Sequence, residues 1–131
     1  MKRSGFSMIE LVFVIVIMGI LAAVAVPKMM GTSSKAKVAQ CQTFYSTFNT
    51  TVSPTLWMRM VQDDENASVA YSKDNLKAAI TIDGKCGSVE QIHKAAIGDE
   101  NFTIKIDNVE YDVNATVEAS SAHAAELQFT K

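Results

Sequence analysis

Glu10 is the residue whose chemistry fits its surroundings least. It is the single charge between Phe6 and Val26, in a segment that is otherwise almost entirely apolar. A carboxylate at bilayer depth is costly, so it marks a functional site that needs a cationic partner. A cut between Gly5 and Phe6 would create an α-amino group four residues from Glu10. Within one helix that pair is strained, whereas between two adjacent copies it would set the register of assembly.

Two cysteines and two histidines are the other candidates for chemistry. Cys41 and Cys86 are an even count, and in a translocated domain this favours a disulfide, with a buried unpaired Cys41 as the alternative. Neither cysteine has a histidine at zinc-ligand spacing, so we predict no metal site. His93 and His123 lack the glycine elbow that surrounds a hydrolase triad, and we interpret them as surface or loop residues.

Two acidic groups, at residues 63–65 and 99–100, offer oxygen ligands for calcium. Calcium is therefore the one cofactor to consider from the sequence. Their spacing is not that of an EF-hand loop. Solvated loops are therefore the favoured interpretation, with calcium as the weaker alternative, and we predict that the chain needs no cofactor.

Three asparagines, Asn66, Asn101 and Asn114, each begin an N-x-S/T sequon. Each has an aspartate two residues earlier, and this acidic extension resembles the acceptor motif of bacterial oligosaccharyltransferases. A domain rich in Asp, Asn and Thr also produces such patterns by chance. Glycosylation and coincidence therefore both stay open at this point.

Composition divides the chain into an apolar segment and one small domain. Of the 131 residues 48% are hydrophobic, and 18 of these lie between Phe6 and Val26. The remainder has an ordinary soluble composition and room for a single core, which excludes a multidomain enzyme and a disordered chain. Lys2 and Arg3 predict a cytoplasmic N-terminus with the rest translocated. Beyond Val26 there are 10 basic and 13 acidic residues, so no nucleic-acid partner is expected.

Three interpretations compete for the apolar segment, since Met8 to Val26 has close to the ~20 residues that a helix needs to cross a bilayer. It could be a secretory signal cleaved after Ala25, which would release a soluble binding domain. It could also be a plain membrane anchor. Neither explains Glu10, whereas a helix that is cleaved after Gly5 and then assembles with copies of itself does.

The N-terminal residues match a known family. Residues 5–11, followed by an apolar helix with Gly19 and Pro27, resemble the N-terminal signature of type IV pilins and of the pseudopilins of type II secretion. The resemblance covers about residues 1–40. Proline and glycine both weaken a helix, so the segment between these two residues could stretch or melt during assembly.

The resemblance implies a processing pathway and a set of partners. Prepilin peptidase would remove the leader, residues 1–5, and Phe6 would be N-methylated, while Glu10 would pair with a neighbouring subunit's N-terminus. The partners would be copies of the chain, other pilin-like subunits, an inner-membrane assembly platform and, before assembly, the lipid bilayer. A subunit of a periplasmic type II pseudopilus is the favoured function, a major or minor type IV pilin is the alternative, and neither is an enzyme.

Beyond Pro27 the apolar residues recur in steps of three and four, which is typical of a helix with one buried face. These residues are Val38, Cys41, Tyr45, Phe48 and Val52. We predict one helix from about Phe6 to about Val52, with a membrane half at 6–26 and an amphipathic half at 27–53.

Residues 54–131 are predicted to form the head. The pattern indicates short helices at 56–61, 73–80 and 88–96, a loop at 63–68, a β-hairpin that turns at Asp107 and Asn108, and a third strand at 126–130. The predicted fold class is α+β, a long N-terminal α-helix packed on a small antiparallel β-sheet, as in pilins.

Overall fold

The structure is a computed structural model that describes residues 7–82, 84–120 and 122–131, with the side chain of residue 30 left out. The described residues divide into two units, the first ending at Ala36 and the second beginning at Lys37. In chain order the elements are α1 (Met8–Thr47), a π-helical turn (Phe48–Val52), α2 (Ser53–Gln62), α3 (Ala67–Ala70), α4 (Lys73–Ala79), α5 (Val89–Ala96), β1 (Phe102–Ile106), β2 (Val109–Val117) and β3 (Glu126–Thr130). The predicted α+β class is confirmed.

The sequence led us to expect that the long helix ends just before Pro54. Instead the helix continues, and its hydrogen-bond pattern changes in the turn before Pro54. In the turn Phe48–Val52 the pattern is that of a π-helix, and the Ser53 N–H donates to the Phe48 carbonyl five residues back. Proline has no N–H to donate, and its ring crowds the carbonyl of the preceding turn. A π-turn ahead of Pro54 removes that conflict, and α2 continues to Gln62.

One face of the helix from Lys37 onward is buried in the second unit, as the periodicity predicts. The buried residues on this face are Cys41, Tyr45, Phe48, Val52, Leu56 and Met60. Val38 packs against them while remaining partly exposed. Burying each large apolar side chain stabilises the fold by about 1.5–3 kcal/mol, so this face holds the head onto the helix.

The three strands form one antiparallel sheet in the order β1-β2-β3. Asp107 and Asn108 join β1 to β2 with φ of 48° and 68°, the backbone of a two-residue type I′ turn, and the predicted hairpin is confirmed. The inner face of the sheet buries Ile104, Val113 and Leu127 in the same core as the helix.

The short helices before the sheet lie close to where the sequence pattern predicts them. Ser88 is the N-cap of α5 and forms a capping box with Gln91, as expected of a serine before an amphipathic helix. The predicted loop at 63–68 is shorter than expected, because α3 begins at Ala67. The helix predicted at 73–80 is present as α4.

Candidate functional site

Glu10 has a local partner at the start of α1. Its Oε2 accepts a hydrogen bond of 3.0 Å from the Ser7 backbone N–H. Ser7 directly precedes the helix and Glu10 is its third residue, so the carboxylate holds the position of the glutamate in a capping box. This contact was not predicted, although Ser7-x-x-Glu10 before an apolar run is its sequence signature. The hydrogen bond lowers the cost of carrying this carboxylate in an apolar environment.

The first unit presents an almost continuous apolar surface. The large hydrophobic side chains of α1 from Met8 to Met29 are 44–86% exposed, and α1 belongs to a helix long and apolar enough to cross a membrane. Patches beyond a few hundred Å² are uncommon on soluble proteins and mark membrane or protein contacts. This surface therefore needs lipid or other subunits to cover it.

The structure describes the two residues that are predicted to weaken the helix, but not the two at the predicted cleavage site. Gly5 and Phe6, with the leader 1–5, lie outside the described residues. Gly19 and Pro27 both lie within α1, which continues through them. A Cβ built on Gly19 would meet no atom within 4 Å, so this glycine is not required by packing within the chain.

Cys41 and Cys86 form a disulfide, which confirms the predicted bond. Cys86 lies in a tight turn whose flanking residues, Gly84 and Gly87, pair as an antiparallel bridge. Gly87 has φ of 112°, and a Cβ there would stand 2.8 Å from the ring of Phe102, so only glycine fits. The bond joins this turn to α1 across 45 residues of sequence.

Asn49, in the π-helical turn, holds β3 in place. Its Nδ2 donates to the Leu127 carbonyl and its Oδ1 accepts from the Leu127 N–H, both at 2.9 Å. The carboxamide thus pairs with the backbone of β3 as a neighbouring strand would. The hydrophobic pattern gives no signal for this contact, because it depends on register between residues 78 positions apart.

A buried polar cluster fixes the chain just before β3. The Ser53 hydroxyl donates to the Ala125 carbonyl at 2.6 Å, and the Tyr71 hydroxyl donates to the Ser53 carbonyl at 2.9 Å while it accepts from the Ala125 N–H at 3.2 Å. Burial raises the pKa of Tyr71 above its ordinary value. Burial also raises the pKa of Tyr45, whose hydroxyl donates to the Cys86 carbonyl. Both phenols therefore remain neutral donors at physiological pH.

We expect Asn49→Asp to destabilise the head by about 1–3 kcal/mol at neutral pH, because a carboxylate oxygen would face the Leu127 carbonyl without a proton to donate. Below about pH 4 the carboxyl is protonated, can donate again, and should recover part of the loss. Urea unfolding of the full chain in detergent measures this, since the single tryptophan, Trp57, lies in the head. Asn114→Asp, an equal charge change on the exposed face of β2, is the control, and equal loss in both variants would contradict the role of Asn49.

The two histidines form hydrogen bonds within the head. His93 Nδ1 lies 2.8 Å from the Tyr71 carbonyl oxygen, and the backbone of His123 pairs with that of Ser120. Among the described residues, no group of three His, Cys, Asp or Glu side chains is placed to hold a metal ion. The acidic residues at 63–65 and 99–100 belong to no such group within that part of the chain.

The three sequons lie in different local structures. Asn66 is exposed in the connection between α2 and α3, Asn101 directly precedes β1, and Asn114 lies within β2, the central strand. A fourth sequon, not among the three predicted sites, begins at Asn49 and has no acidic residue two positions earlier.

Comparison with known proteins bears on the N-terminal part of the chain. Residues 1–26 match the family description "prokaryotic N-terminal methylation motif". Over 37 residues the chain is 51% identical to the type II secretion system core protein G of Pseudomonas aeruginosa, a match that covers 28% of this chain and 26% of that protein. The chain thus aligns with about a quarter of that relative's length. No solved structure matches the chain.

Proposed function

We infer that this chain, whose methylation motif and match to protein G support the type IV pilin and pseudopilin family, is a structural subunit of a periplasmic pseudopilus of type II secretion. Pilins and pseudopilins are structural subunits and not enzymes. The observation that carries the proposal is the exposed apolar surface of α1 with one carboxylate, Glu10, at its start. This is a surface that lipid covers first and other subunits cover afterwards.

The mechanism we propose is mechanical. Prepilin peptidase would cut between Gly5 and Phe6 and Phe6 would be methylated, which keeps the cationic amine and removes hydrogens that would need partners in lipid. Glu10 of one subunit would then neutralise the amine of the next and set the stagger between helices. The head, carried on the amphipathic part of α1, would form the outer surface, and an ATPase elsewhere would supply the work.

Weak points in the helix would let the apolar segment adapt to a new environment. Pro27 removes one helical hydrogen bond, and Gly19 lowers helix stability by about 1 kcal/mol relative to alanine. In the free chain α1 remains helical through both residues. We propose that α1 extends or partly unwinds between them when the subunit leaves the bilayer and enters the fibre.

The mass of the mature N-terminus tests the proposal. Processing as a pilin-like subunit predicts a chain that starts at Phe6 and carries one methyl group. A chain that starts at Val26 would instead be the product of a secretory signal peptidase and would overturn the proposal in favour of a secreted soluble domain. Peptide mass spectrometry of protein purified from its own cells distinguishes the two.

A type IV pilus is the second candidate, because the methylation motif fits both kinds of fibre. The protein G match favours the pseudopilus, since that protein's name places it in type II secretion. Deletion of the gene should abolish release of secreted proteins and leave surface fibres unchanged. Loss of surface fibres with normal secretion would favour the pilus.

A further inference from the structure

We propose that Asn66 is the attachment site of an N-linked oligosaccharide, added to the folded head by a transferase that recognises an acidic residue two positions before the asparagine. The proposal concerns a modification of the head and adds to its role in a fibre. It depends on two independent observations, the distribution of acids around the sequons and the different degree to which the fold restrains the backbone and side chain of each acceptor asparagine.

Acids accompany the sequons more often than composition explains. The chain has 14 acidic residues among 131, so an acid is expected at a given position about once in nine. Three of the four sequons nevertheless have an aspartate two residues before the asparagine, namely Asp64, Asp99 and Asp112. The fourth sequon, at Asn49, has Thr47 there and provides an internal comparison.

All three acid-preceded acceptor asparagines are exposed, and Asn66 is the one that lies between helices, away from the sheet. It is exposed, as are Asp64 and Ser68, the two residues that a transferase would read on either side of it. Its backbone is extended, with φ of −79° and ψ of 153°, and its side chain forms no cap bond to the first turn of α3. That helix has only four residues, too few to be stable alone, so an enzyme could unwind it at low cost. An N-glycosylation acceptor is expected in such a surface connection.

Asn114 is locked by the sheet. It lies in the central strand and pairs with Gln128 on β3, while Asp112 pairs with Thr103 on one side and Thr130 on the other. Drawing this sequon into an active site would break ladder hydrogen bonds on both sides of β2. The folded head should therefore protect Asn114.

Asn101 is restrained by its own side chain. Its Oδ1 accepts a 3.0 Å hydrogen bond from the Ala115 N–H on β2, and Thr103, the residue that completes the sequon, pairs with Asp112. The Asp99 N–H donates to the Lys94 carbonyl at the end of α5 at 2.9 Å. All three recognition positions are thus held by the fold.

The transfer step needs one co-reactant, an oligosaccharide carried on a polyprenyl diphosphate. A bond forms between the Asn66 Nδ2 and C1 of the first sugar, and the bond between C1 and the phosphate oxygen breaks. The polyprenyl diphosphate leaves with that electron pair, and the amide proton passes to a carboxylate base of the transferase. Asp64 contributes recognition by pairing with a basic group of the enzyme.

Intact mass of the protein from its own cells is the first test. We expect a mass above that of the methylated polypeptide by one oligosaccharide, and peptide mapping should place the sugar on Asn66. A mass equal to the polypeptide alone would overturn the proposal. Equal occupancy of Asn66, Asn101 and Asn114 would also overturn it, because it would show modification before the head folds.

Variants make the second test, in a bacterial host that supplies an oligosaccharyltransferase and its lipid-linked donor. Asn66→Gln and Asp64→Asn should each lower the glycosylated fraction of the full chain at least tenfold. The matched controls Asn101→Gln and Asn114→Gln should leave it unchanged. In vitro, the purified full chain in detergent should gain sugar at Asn101 and Asn114 after reduction and unfolding, and gain there without unfolding would refute the protection argument.

Discussion

Replacing Glu10 with alanine should leave the protein inserted and cut but should reduce its assembly into fibres by about tenfold or more. The proposed reason is that each subunit's amine loses its anionic partner in an apolar environment, where an unpaired charge costs a few kcal/mol and each 1.4 kcal/mol is worth tenfold in an equilibrium. Membrane fractionation and the N-terminal mass check insertion and cutting. The amount of sheared fibre, or secretion of exported protein, measures assembly.

Because Glu10 also accepts a hydrogen bond from the Ser7 N–H, a second variant can distinguish the effect of its charge from its effect as a helix cap. Glu10→Gln retains an oxygen that can accept from the Ser7 N–H but carries no charge. If the carboxylate acts by neutralising a neighbour's amine, the glutamine and alanine variants should fail alike. Normal assembly of the glutamine variant would show that Glu10 acts as a cap and would reject its proposed role between subunits.

Loss of the disulfide should have the largest effect on the stability of the head. The Cys41–Cys86 bond closes a loop across 45 residues, and the chain-entropy estimate for such a loop is about 4 kcal/mol. This is a large fraction of the 5–15 kcal/mol that stabilises a typical domain. The double variant Cys41→Ala with Cys86→Ala should therefore unfold at much lower urea concentration in the Trp57 fluorescence assay.

The wild-type chain under reducing conditions is the control for the cysteine variant. A reductant should move the wild-type midpoint toward that of the double variant and should not affect the variant itself. If both proteins unfold at the same midpoint without reductant, the bond contributes little to stability. The two cysteines, which are 1% and 5% exposed, would then contribute to stability only as buried side chains in the core.

Much of the head could be predicted from the sequence because its signals are local. The strands alternate cleanly, the turn at Asp107 and Asn108 suits positive φ, and the serine before α5 is a good N-cap. The disulfide was predicted from an even cysteine count in a domain that the sequence leads us to expect on the far side of a membrane. For the strands, the turn and the cap a few neighbouring residues determine the outcome, and for the disulfide the two cysteines of the chain leave a single possible intramolecular pairing.

The features that were missed depend on more distant or more subtle relations. The sequence predicts a helix end at about Val52, just before Pro54, because a proline in the sequence does not show that a π-helical turn will accommodate the missing hydrogen bond. The contact of Asn49 with Leu127 depends on tertiary register and has no sequence pattern. The hydrogen bond from Ser7 to Glu10 has a local pattern, Ser-x-x-Glu, but the charge of Glu10 in an apolar segment also predicts a cationic partner outside the chain.

The carboxamide of Asn49 also covers part of the open edge of the sheet, which matters if copies of the protein crowd together as the proposed fibre requires. An exposed strand edge is a template on which a strand from another molecule can add, which leads to aggregation. In a fibre, heads stand at very high local concentration, and an open β3 would invite such additions. Because Asn49 already occupies both backbone groups of Leu127, a strand from a neighbour would have to displace it. One side chain thus closes part of the sheet edge, and in the proposed fibre it would leave association to the helices.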